Sequence, residues 1–308
     1  MTNLYPIVKV NQPSLRTVHM GMNLPAIVVR LQDLLTPSGN KFNTTFSQIK
    51  TVGDIHNHQN FKGQIILSTI MRDDLIAKVP LNMYVEAIQV LRPDSCLTPD
   101  AETYESTTYW KDGQMYYDGK EVSSKEVIRV SSATMLLRRI FPNQHFIGLV
   151  KGSSAEMIEN HAKFLVSQGI TDLALHIGDF MRFGINDNIQ RGKLYATIIR
   201  RIGKQLFLFG MGCQARLLEF SFADAYITYS HFIAARHGLK FAGTKAVSLD
   251  QGYSPELVRN NLQELLKNIK RIQFQRKLFE DEKEWDKAYV MEELLTHPMQ
   301  GMATTIPQ

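Results

Sequence analysis

The stretch from Leu91 to Asp100, Leu-Arg-Pro-Asp-Ser-Cys-Leu-Thr-Pro-Asp, decides the fold class that this sequence predicts. It follows a helical pattern that begins at Pro80, contains a short apolar run, and ends on a carboxylate. A strand of a (β/α)8 barrel delivers a reacting group to the C-terminal rim of the barrel in this way. The stretch therefore predicts a barrel strand that carries a functional aspartate, Asp100, at its end.

Three later segments repeat this plan of an apolar strand that ends near glycine and precedes a helix. They are His145–Gly152, Asp172–Asp179 and Gln205–Gly212. Gly63–Thr69 is a β-branched run introduced by glycine, and it predicts another strand. A chain of 308 residues fits one barrel of this kind. We therefore predict an α/β fold, a (β/α)8 TIM-type barrel with a helical C-terminal extension.

The predicted organisation is a barrel domain over residues 1–253, followed by a basic helix and tail, packed on the barrel, over residues 254–308. Asp224–Ser230 is predicted to be a strand, and Leu239–Leu249 is expected to contain the last one. An aromatic insertion near residues 101–121 contains two Asp-Gly dipeptides, which predict a hairpin. This hairpin could cover the barrel mouth as a lid or pack on the side of the barrel.

Composition and charge exclude several classes of protein. Lysine and arginine number 35 against 30 acidic residues, a mild basic excess that is compatible with a polyanionic partner. The two cysteines, Cys96 and Cys213, exclude a framework of several disulfides and a zinc site made from three or four cysteines of this chain. No signal peptide or membrane span is visible. We expect a soluble, cytoplasmic protein without a membrane partner.

The ordered strand ends resemble those of the tRNA-guanine transglycosylases and their DNA-modifying relatives. In that family a helix precedes a strand that ends on a base-recognising aspartate, as Val85–Asp100 does here. Gly148–Gly152 resembles the family strand Gly-Val-Val-Gln-Gly, with Lys151 in place of glutamine. His176–Asp179 resembles the glycine-rich strand end of the base pocket, and Phe209–Gly212 resembles a Met-Gly-(Val/Ala)-Gly strand.

The family segment that carries the nucleophile, Gly-Val-Asp-Met-Phe-Asp, is similar to Phe222–Ile227. Ile227 replaces the last aspartate of that segment, and Asp224 matches the upstream one. The Cys-x-Cys-x-x-Cys zinc motif is absent, and Asn260 stands where the family has a ligand histidine. The similarity covers about residues 80–275 and implies a divergent, zinc-free member with neither a metal nor a cofactor.

The resemblance implies a base-exchange transglycosylase, which replaces guanine in DNA or tRNA with a 7-deazaguanine such as preQ0. A carboxylate suits this chemistry because it can form a covalent ester with the sugar and can also carry a proton. Asp224 is the candidate nucleophile by alignment, and Asp179 is the candidate by its position at a strand end. The resemblance assigns the base pocket to Asp100, Lys151, Gly152, Gly178, Gly210 and Gly212.

The expected partners are a nucleic acid and a small 7-deazaguanine, and a homo- or hetero-oligomer is compatible with the sequence. The basic residues expected to neutralise phosphates are Arg200, Arg201, Lys267, Lys270 and Arg271.

Two other functions stay open at the level of sequence. One is a metal-dependent lyase or hydrolase that uses Asp100, His176 and Asp179 at the rim of a barrel. The other is a non-catalytic nucleic-acid-binding subunit. The fold by itself does not distinguish these functions from base exchange.

Overall fold

Eight parallel strands close into a barrel in the computed structural model of the chain, which confirms the predicted fold. They are β1 (Asn3–Val8), β2 (Ala26–Arg30), β3 (Gln64–Ser68), β4 (Ser95–Leu97), β7 (His145–Leu149), β8 (Asp172–His176), β9 (Gln205–Phe209) and β10 (Ala225–Thr228). Two antiparallel hairpins lie outside the barrel, β5 (Thr108–Lys111) with β6 (Gln114–Tyr117), and β11 (Leu239–Ala242) with β12 (Lys245–Ser248). The ring closes because β1 pairs with β2 on one side and with β10 on the other.

The structure describes residues 3–111, 113–180, 186–212, 217, 219–243, 245–249 and 252–281. The side chains of residues 179, 186, 187 and 272–281 lie outside this description. Cys213 and the predicted C-terminal tail beyond residue 281 also fall outside the described part of the chain.

Helices occupy the connections between barrel strands and form the outer layer. They are α1 (Pro13–Arg16), α2 (Thr44–Val52), α3 (Ile55–Gln59), α4 (Asp73–Ile76), α5 (Leu81–Leu91), α6 (Gly119–Ile140), α7 (Ala155–Ser167), α8 (Asn186–Ile202), α9 (Ser230–Arg236) and α10 (Pro255–Asp281). Leu257, Val258 and Leu262 of α10 belong to the same buried cluster as the outward faces of the strands. The domain boundary at residue 253 stays a prediction. In the described part of the chain, no helix is both long and apolar enough to cross a membrane.

Side chains of the barrel strands alternate between the interior and the helical layer, as the two-residue period of a strand requires. In β2, Ala26 and Val28 belong to the interior cluster, whereas Ile27 and Val29 pack with the helices. The next inward position of β2 is Arg30. Parallel strands all end at the same rim, so an inward residue at a strand end points into the barrel mouth.

The opening stretch of sequence forms α5 and β4 as predicted. Met83, Ala87 and Leu91 are buried on one face of α5. The helix ends at Arg92, which has a left-handed φ of 50°, and Pro93 follows it. Pro93 cannot continue a helix, so the chain turns there and enters β4.

Two expectations about the barrel strands were wrong. Leu239–Leu249 does not contain the last barrel strand, because its described residues 239–243 and 245–249 contain the exposed hairpin β11–β12. The eighth place in the ring belongs to Asn3–Val8, which the sequence analysis did not assign. Its apolar run is short and is interrupted by Pro6, a residue that lacks the backbone donor of a central strand. In the barrel, Pro6 is in register with Thr228 of β10.

Candidate functional site

A buried ion pair between Asp100 and Lys151 lies at the C-terminal rim of the barrel. Lys151 Nζ is 2.9 Å from Asp100 Oδ1, and the side chain of Asp100 is only 3% exposed. The same carboxylate accepts backbone hydrogen bonds from Ala101 to Oδ1 at 2.8 Å and from Met71 to Oδ2 at 3.3 Å. Asp100 is therefore held by one cation and two peptide N–H groups, so its orientation is constrained.

Hydrogen bonds between neighbouring strand ends bring these two residues together. The Thr98 hydroxyl accepts a bond from the backbone N–H of Leu149 at 2.8 Å, which joins the ends of β4 and β7. The Thr69 hydroxyl donates to the Thr98 carbonyl at 2.6 Å, which joins the ends of β3 and β4. The connections that follow these strands are therefore brought to one side of the mouth.

A buried histidine contacts the backbone of Lys151. His161 Nδ1 is 3.0 Å from the Lys151 backbone nitrogen. Burial lowers the pKa of His161 to about 4, so the ring is neutral near pH 7 and its Nδ1 can accept the Lys151 N–H. His161 thus helps to position Lys151.

The ion pair faces a cavity of about 630 Å³ in the mouth of the barrel. This volume falls within the range that is usual for small-molecule sites. Asp73, Glu102 and Glu105 line the cavity together with Asp100. The facing cations are Lys151 and Arg191, and His176 also lines the wall. Such a surface suits a polar ligand that carries several hydrogen-bond donors.

The predicted aromatic insertion forms part of this wall. Lys111 Nζ on β5 lies 2.8 Å from both carboxylate oxygens of Glu102. Tyr104 donates a hydrogen bond to Glu102, and its ring stacks on Tyr109 with centroids 3.7 Å apart. Burial and the bond with Glu102 raise the pKa of Tyr104. The hairpin β5–β6 is therefore joined to the cavity wall, which favours the interpretation that it covers the mouth.

Of the four predicted pocket glycines, Gly152 lines the cavity, and Gly178 and Gly210 lie against the imidazole of His176, which also lines it. A Cβ at Gly152, which lines the cavity, would approach the backbone nitrogen of Ile158 to 2.9 Å. A Cβ at Gly210, whose φ is +80°, would lie 2.9 Å from His176 Nε2. Gly178 is crowded by the same imidazole at 3.1 Å, whereas a Cβ at Gly212 would meet only a carbonyl oxygen at 3.9 Å.

The structure does not bring Asp224 to this site. β10 begins at Ala225, so Asp224 lies at the N-terminal end of the barrel, opposite the rim that carries Asp100. Its Oδ2 accepts the backbone N–H of Leu206 at 2.8 Å and lies 3.5 Å from Arg200 Nε. These contacts anchor the start of β10, and the position does not fit a nucleophile for a ligand beside Asp100. The side chain of Asp179 lies outside the described residues.

The basic residues proposed for phosphate contacts are also away from the mouth. Arg200 and Arg201 end α8, which returns the chain to the N-terminal rim of the barrel. Arg200 Nη1 donates to the carbonyl of Lys204 at 3.1 Å, just before β9. Lys267, Lys270 and Arg271 are exposed on α10. The five cations therefore do not converge on the cavity.

A second cluster occupies the other side of the mouth, where β1, β2 and β10 end. Lys9 Nζ and Arg30 Nη2 each lie 2.8 Å from Asp33 Oδ1, and Arg30 Nε donates to Asp33 Oδ2 at 3.0 Å. The Arg30 guanidinium lies 4.5 Å from the ring centroid of Tyr229, which packs against the interior cluster. We call Lys9, Arg30, Asp33 and Tyr229 the cationic cluster.

Among the described residues, no group of three or more His, Cys, Asp or Glu side chains is placed to hold a metal ion. The metal-dependent alternative used Asp100, His176 and Asp179, and the last of these side chains is outside the described part. The absence of a structural zinc stays a prediction.

Sequence reasoning did not assign roles at the mouth to Glu102 or Glu105, which lie in a connection without a regular pattern, or to Arg191, which lies in α8. The period of two in β1 could have indicated Lys9, because Tyr5 and Ile7 point into the barrel four and two positions earlier. The same signal in β2 could have indicated Arg30. Lys9 was missed because β1 was not assigned, and Arg30 because its partner Tyr229 is remote in the sequence.

A scan against protein-family models and a search among curated proteins found no match to this chain.

Proposed function

We propose that this protein is a base-exchange transglycosylase that binds a guanine-like heterocycle in the cavity at the barrel mouth. The observation that supports this proposal is the buried Asp100–Lys151 pair at the edge of a cavity of about 630 Å³. The proposed substrates are guanine in a polynucleotide, DNA or tRNA, and a 7-deazaguanine such as preQ0. The proposed setting is the cytoplasm.

The pair offers the hydrogen-bonding groups that a guanine-like edge requires. Such an edge presents N–H donors next to a carbonyl acceptor. Asp100 is an acceptor, Lys151 is a donor, and the two charged groups are already 2.9 Å apart. The backbone bonds from Ala101 and Met71 hold the carboxylate while a ligand competes for Lys151.

Asp73 is the candidate nucleophile that best fits the cavity. It begins α4, directly after the β3 rim, and it lines the same cavity as Asp100. Its carboxylate would attack the anomeric carbon of the sugar, the bond to guanine would break, and the electron pair would leave with the base. The departing guanine would take up a proton at the nitrogen it releases. The incoming 7-deazaguanine would lose its ring N–H proton as it displaces Asp73 and restores a glycosidic bond, so the exchange has no net change in protons.

Asp74 is a matched control for Asp73 because it is the adjacent aspartate but points away from the cavity. Its carboxylate pairs with Arg72 at 3.1 Å, and both side chains are more than half exposed. Asp74→Ala should therefore exchange bases at the wild-type rate.

The test is incubation of the full-length protein with labelled guanine or preQ0 and with either DNA or tRNA. Wild-type protein should incorporate label into one polymer, and Asp73→Ala should lose both incorporation and the covalent protein–polymer adduct. Asp100→Asn should bind the free base about 1–3 kcal/mol more weakly, because an amide donor then faces ligand donors. Wild-type protein that binds nucleic acid but never incorporates label would instead support a non-catalytic binding subunit.

A further inference from the structure

The cationic cluster directs two positive side chains toward the barrel axis. Tyr5 and Ile7 of β1 point into the interior, and Lys9 continues their alternation beyond the strand. Arg30 does the same at the end of β2. Their contacts with the Tyr229 ring agree with this direction, since Lys9 Nζ is 5.6 Å and the Arg30 guanidinium 4.5 Å from its centroid. Both cations therefore lie over the top of the barrel interior.

Both of these cations pair with the same carboxylate, that of Asp33. Lys9 and Arg30 are each only 15% exposed, and Asp33 is 5% exposed. The bonds to Asp33 use one of the three ammonium protons of Lys9 and two of the five N–H donors of Arg30. The cluster thus keeps an excess positive charge and additional donors in a partly desolvated place, where charge-assisted bonds are strong.

Tyr229 adds a hydroxyl that no described residue satisfies. Its Oη is buried and has no hydrogen-bond partner in the described part of the chain. A buried polar group in this state is costly unless another molecule completes its bonding. Burial also raises the pKa of this hydroxyl, so it stays protonated and can donate to an anion.

We propose that Lys9, Arg30 and Tyr229 form a binding site for a phosphate group of the substrate, on the side of the mouth opposite the Asp100 cavity. This inference rests on the proposed function, because the phosphate belongs to the nucleotide whose base enters that cavity. In the ring of strands, β1 and β2 adjoin each other, β7 lies directly opposite β1, and β4 lies next to β7. A nucleotide matches this arrangement of two sites, because it has a donor-rich base at one end and an anion at the other.

Three ligands separate the contributions of base and phosphate, namely guanosine, guanosine 5′-monophosphate and inorganic phosphate. A short guanine-containing oligonucleotide adds the phosphodiester form of the same anion. Binding is measured by calorimetry on the full-length protein at one fixed salt concentration, because phosphate contacts are salt-dependent. The wild type should bind the monophosphate roughly tenfold or more tightly than guanosine, as expected for charge-assisted bonds to an anion.

Two variants remove parts of the site with little change in shape. Lys9→Met keeps an apolar stem over the aromatic rings but removes the charge, and Tyr229→Phe removes only the hydroxyl. Both should reduce the preference for the monophosphate and leave guanosine affinity unchanged. Lys163→Met is the matched control, because Lys163 forms an exposed ion pair with Glu159 on α7 and should keep the full preference. Urea unfolding of each variant verifies that it is folded.

The outcomes separate this site from the proposed function. If oligonucleotide binding is also independent of Lys9, then guanosine binding without any preference for the monophosphate, or a preference that persists in both variants, would overturn the phosphate site and leave base binding intact. Another outcome is phosphate binding that Lys9→Met abolishes in a protein that neither binds guanosine nor exchanges bases. That result would support the anion site but refute the transglycosylase. If the oligonucleotide but not the monophosphate depends on Lys9, the site binds the phosphodiester of a polymer. Failure of all four ligands to bind would refute the site.

Discussion

The two sides of the barrel mouth are built alike but carry opposite charge. On the side of β4 and β7, four carboxylates line a cavity with the cations Lys151 and Arg191; Lys111 pairs with Glu102, and Asp100 pairs with Lys151. On the side of β1 and β2, two cations share the single carboxylate of Asp33. The acidic side suits a ligand with N–H donors, and the cationic side suits an anion.

The number of ionic partners, as well as their burial, therefore sets how much each charge contributes to stability. Removal of Lys151 would leave a buried carboxylate with backbone N–H groups alone. Removal of Lys9 would leave Asp33 with the two-bond contact from Arg30. A buried charge that loses its only ionic partner is the more costly case. The two sides should therefore respond unequally to equivalent substitutions.

The largest effect should come from Lys151→Met, which keeps the length of the side chain but removes its charge. The free energy of unfolding should fall by about 3–5 kcal/mol, the range for a buried pair that loses one partner. Urea unfolding followed by circular dichroism measures this change.

The double variant Lys151→Met with Asp100→Asn serves as the control for that prediction. It should recover part of the loss, because the unpaired buried charge is then absent. A loss below about 1 kcal/mol in Lys151→Met would mean that the pair behaves like a surface ion pair.

An intermediate effect should come from lowering the pH, because one buried histidine lies behind each side of the mouth. Burial lowers the pKa of His161, behind Lys151, and of His231, beside Tyr229, to about 4 in the folded state. The ordinary value of 6.5 applies when the chain is unfolded. Between pH 6.5 and 4 the unfolded chain therefore binds protons that the folded chain does not. The contribution of these histidines to the free energy of unfolding is fully present above pH 6.5 and decreases as the pH falls.

Each histidine should contribute a slope of up to about 1.4 kcal/mol per pH unit in this window. Urea midpoints between pH 6.5 and 5 measure the slope above the range in which ordinary carboxyl groups titrate. His231→Phe and His161→Phe should each reduce the slope of the free energy of unfolding against pH by the contribution of one proton. If neither variant changes the slope, these two histidines do not cause the acid sensitivity.

The smallest effect should come from Lys9→Met. Because Arg30 still pairs with Asp33, the free energy of unfolding should fall by about 1 kcal/mol or less. The comparison with Lys151→Met under identical conditions is the measurement that matters. Equal losses in the two variants would show that the second cation does not protect Asp33.

Several elements of the site were predictable because they depend on local sequence. The helix α5, the turn at Pro93 and the short apolar β4 indicate that Asp100 lies at the rim beyond a barrel strand, although β4 itself ends at Leu97. The run before Lys151 does the same for β7. Each of these inferences uses residues only a few positions apart, which strand alternation and helix periodicity determine.

Other positions depended on where a strand begins. Asp224 is one residue before β10, and that single step places it at the end of the barrel opposite Asp100. Arg200 and Arg201 were assigned to phosphate contacts on charge alone, although the direction of α8 takes them to that same end. The boundaries of strands are set by tertiary hydrogen bonds, so a local pattern does not determine them to one residue.

Local sequence is enough to predict the repeated strand–helix plan, the eight-stranded class of barrel, and the place of Asp100 at its rim. Which rim residues meet depends on tertiary packing. Lys9 reaches the ring of Tyr229 because β1 pairs with β10, although 220 positions separate the two residues in the chain. Alternation within a strand is a property of neighbouring residues, whereas the closure of a ring depends on the packing of the whole core. The charge of each side of the mouth therefore appears only when the barrel closes.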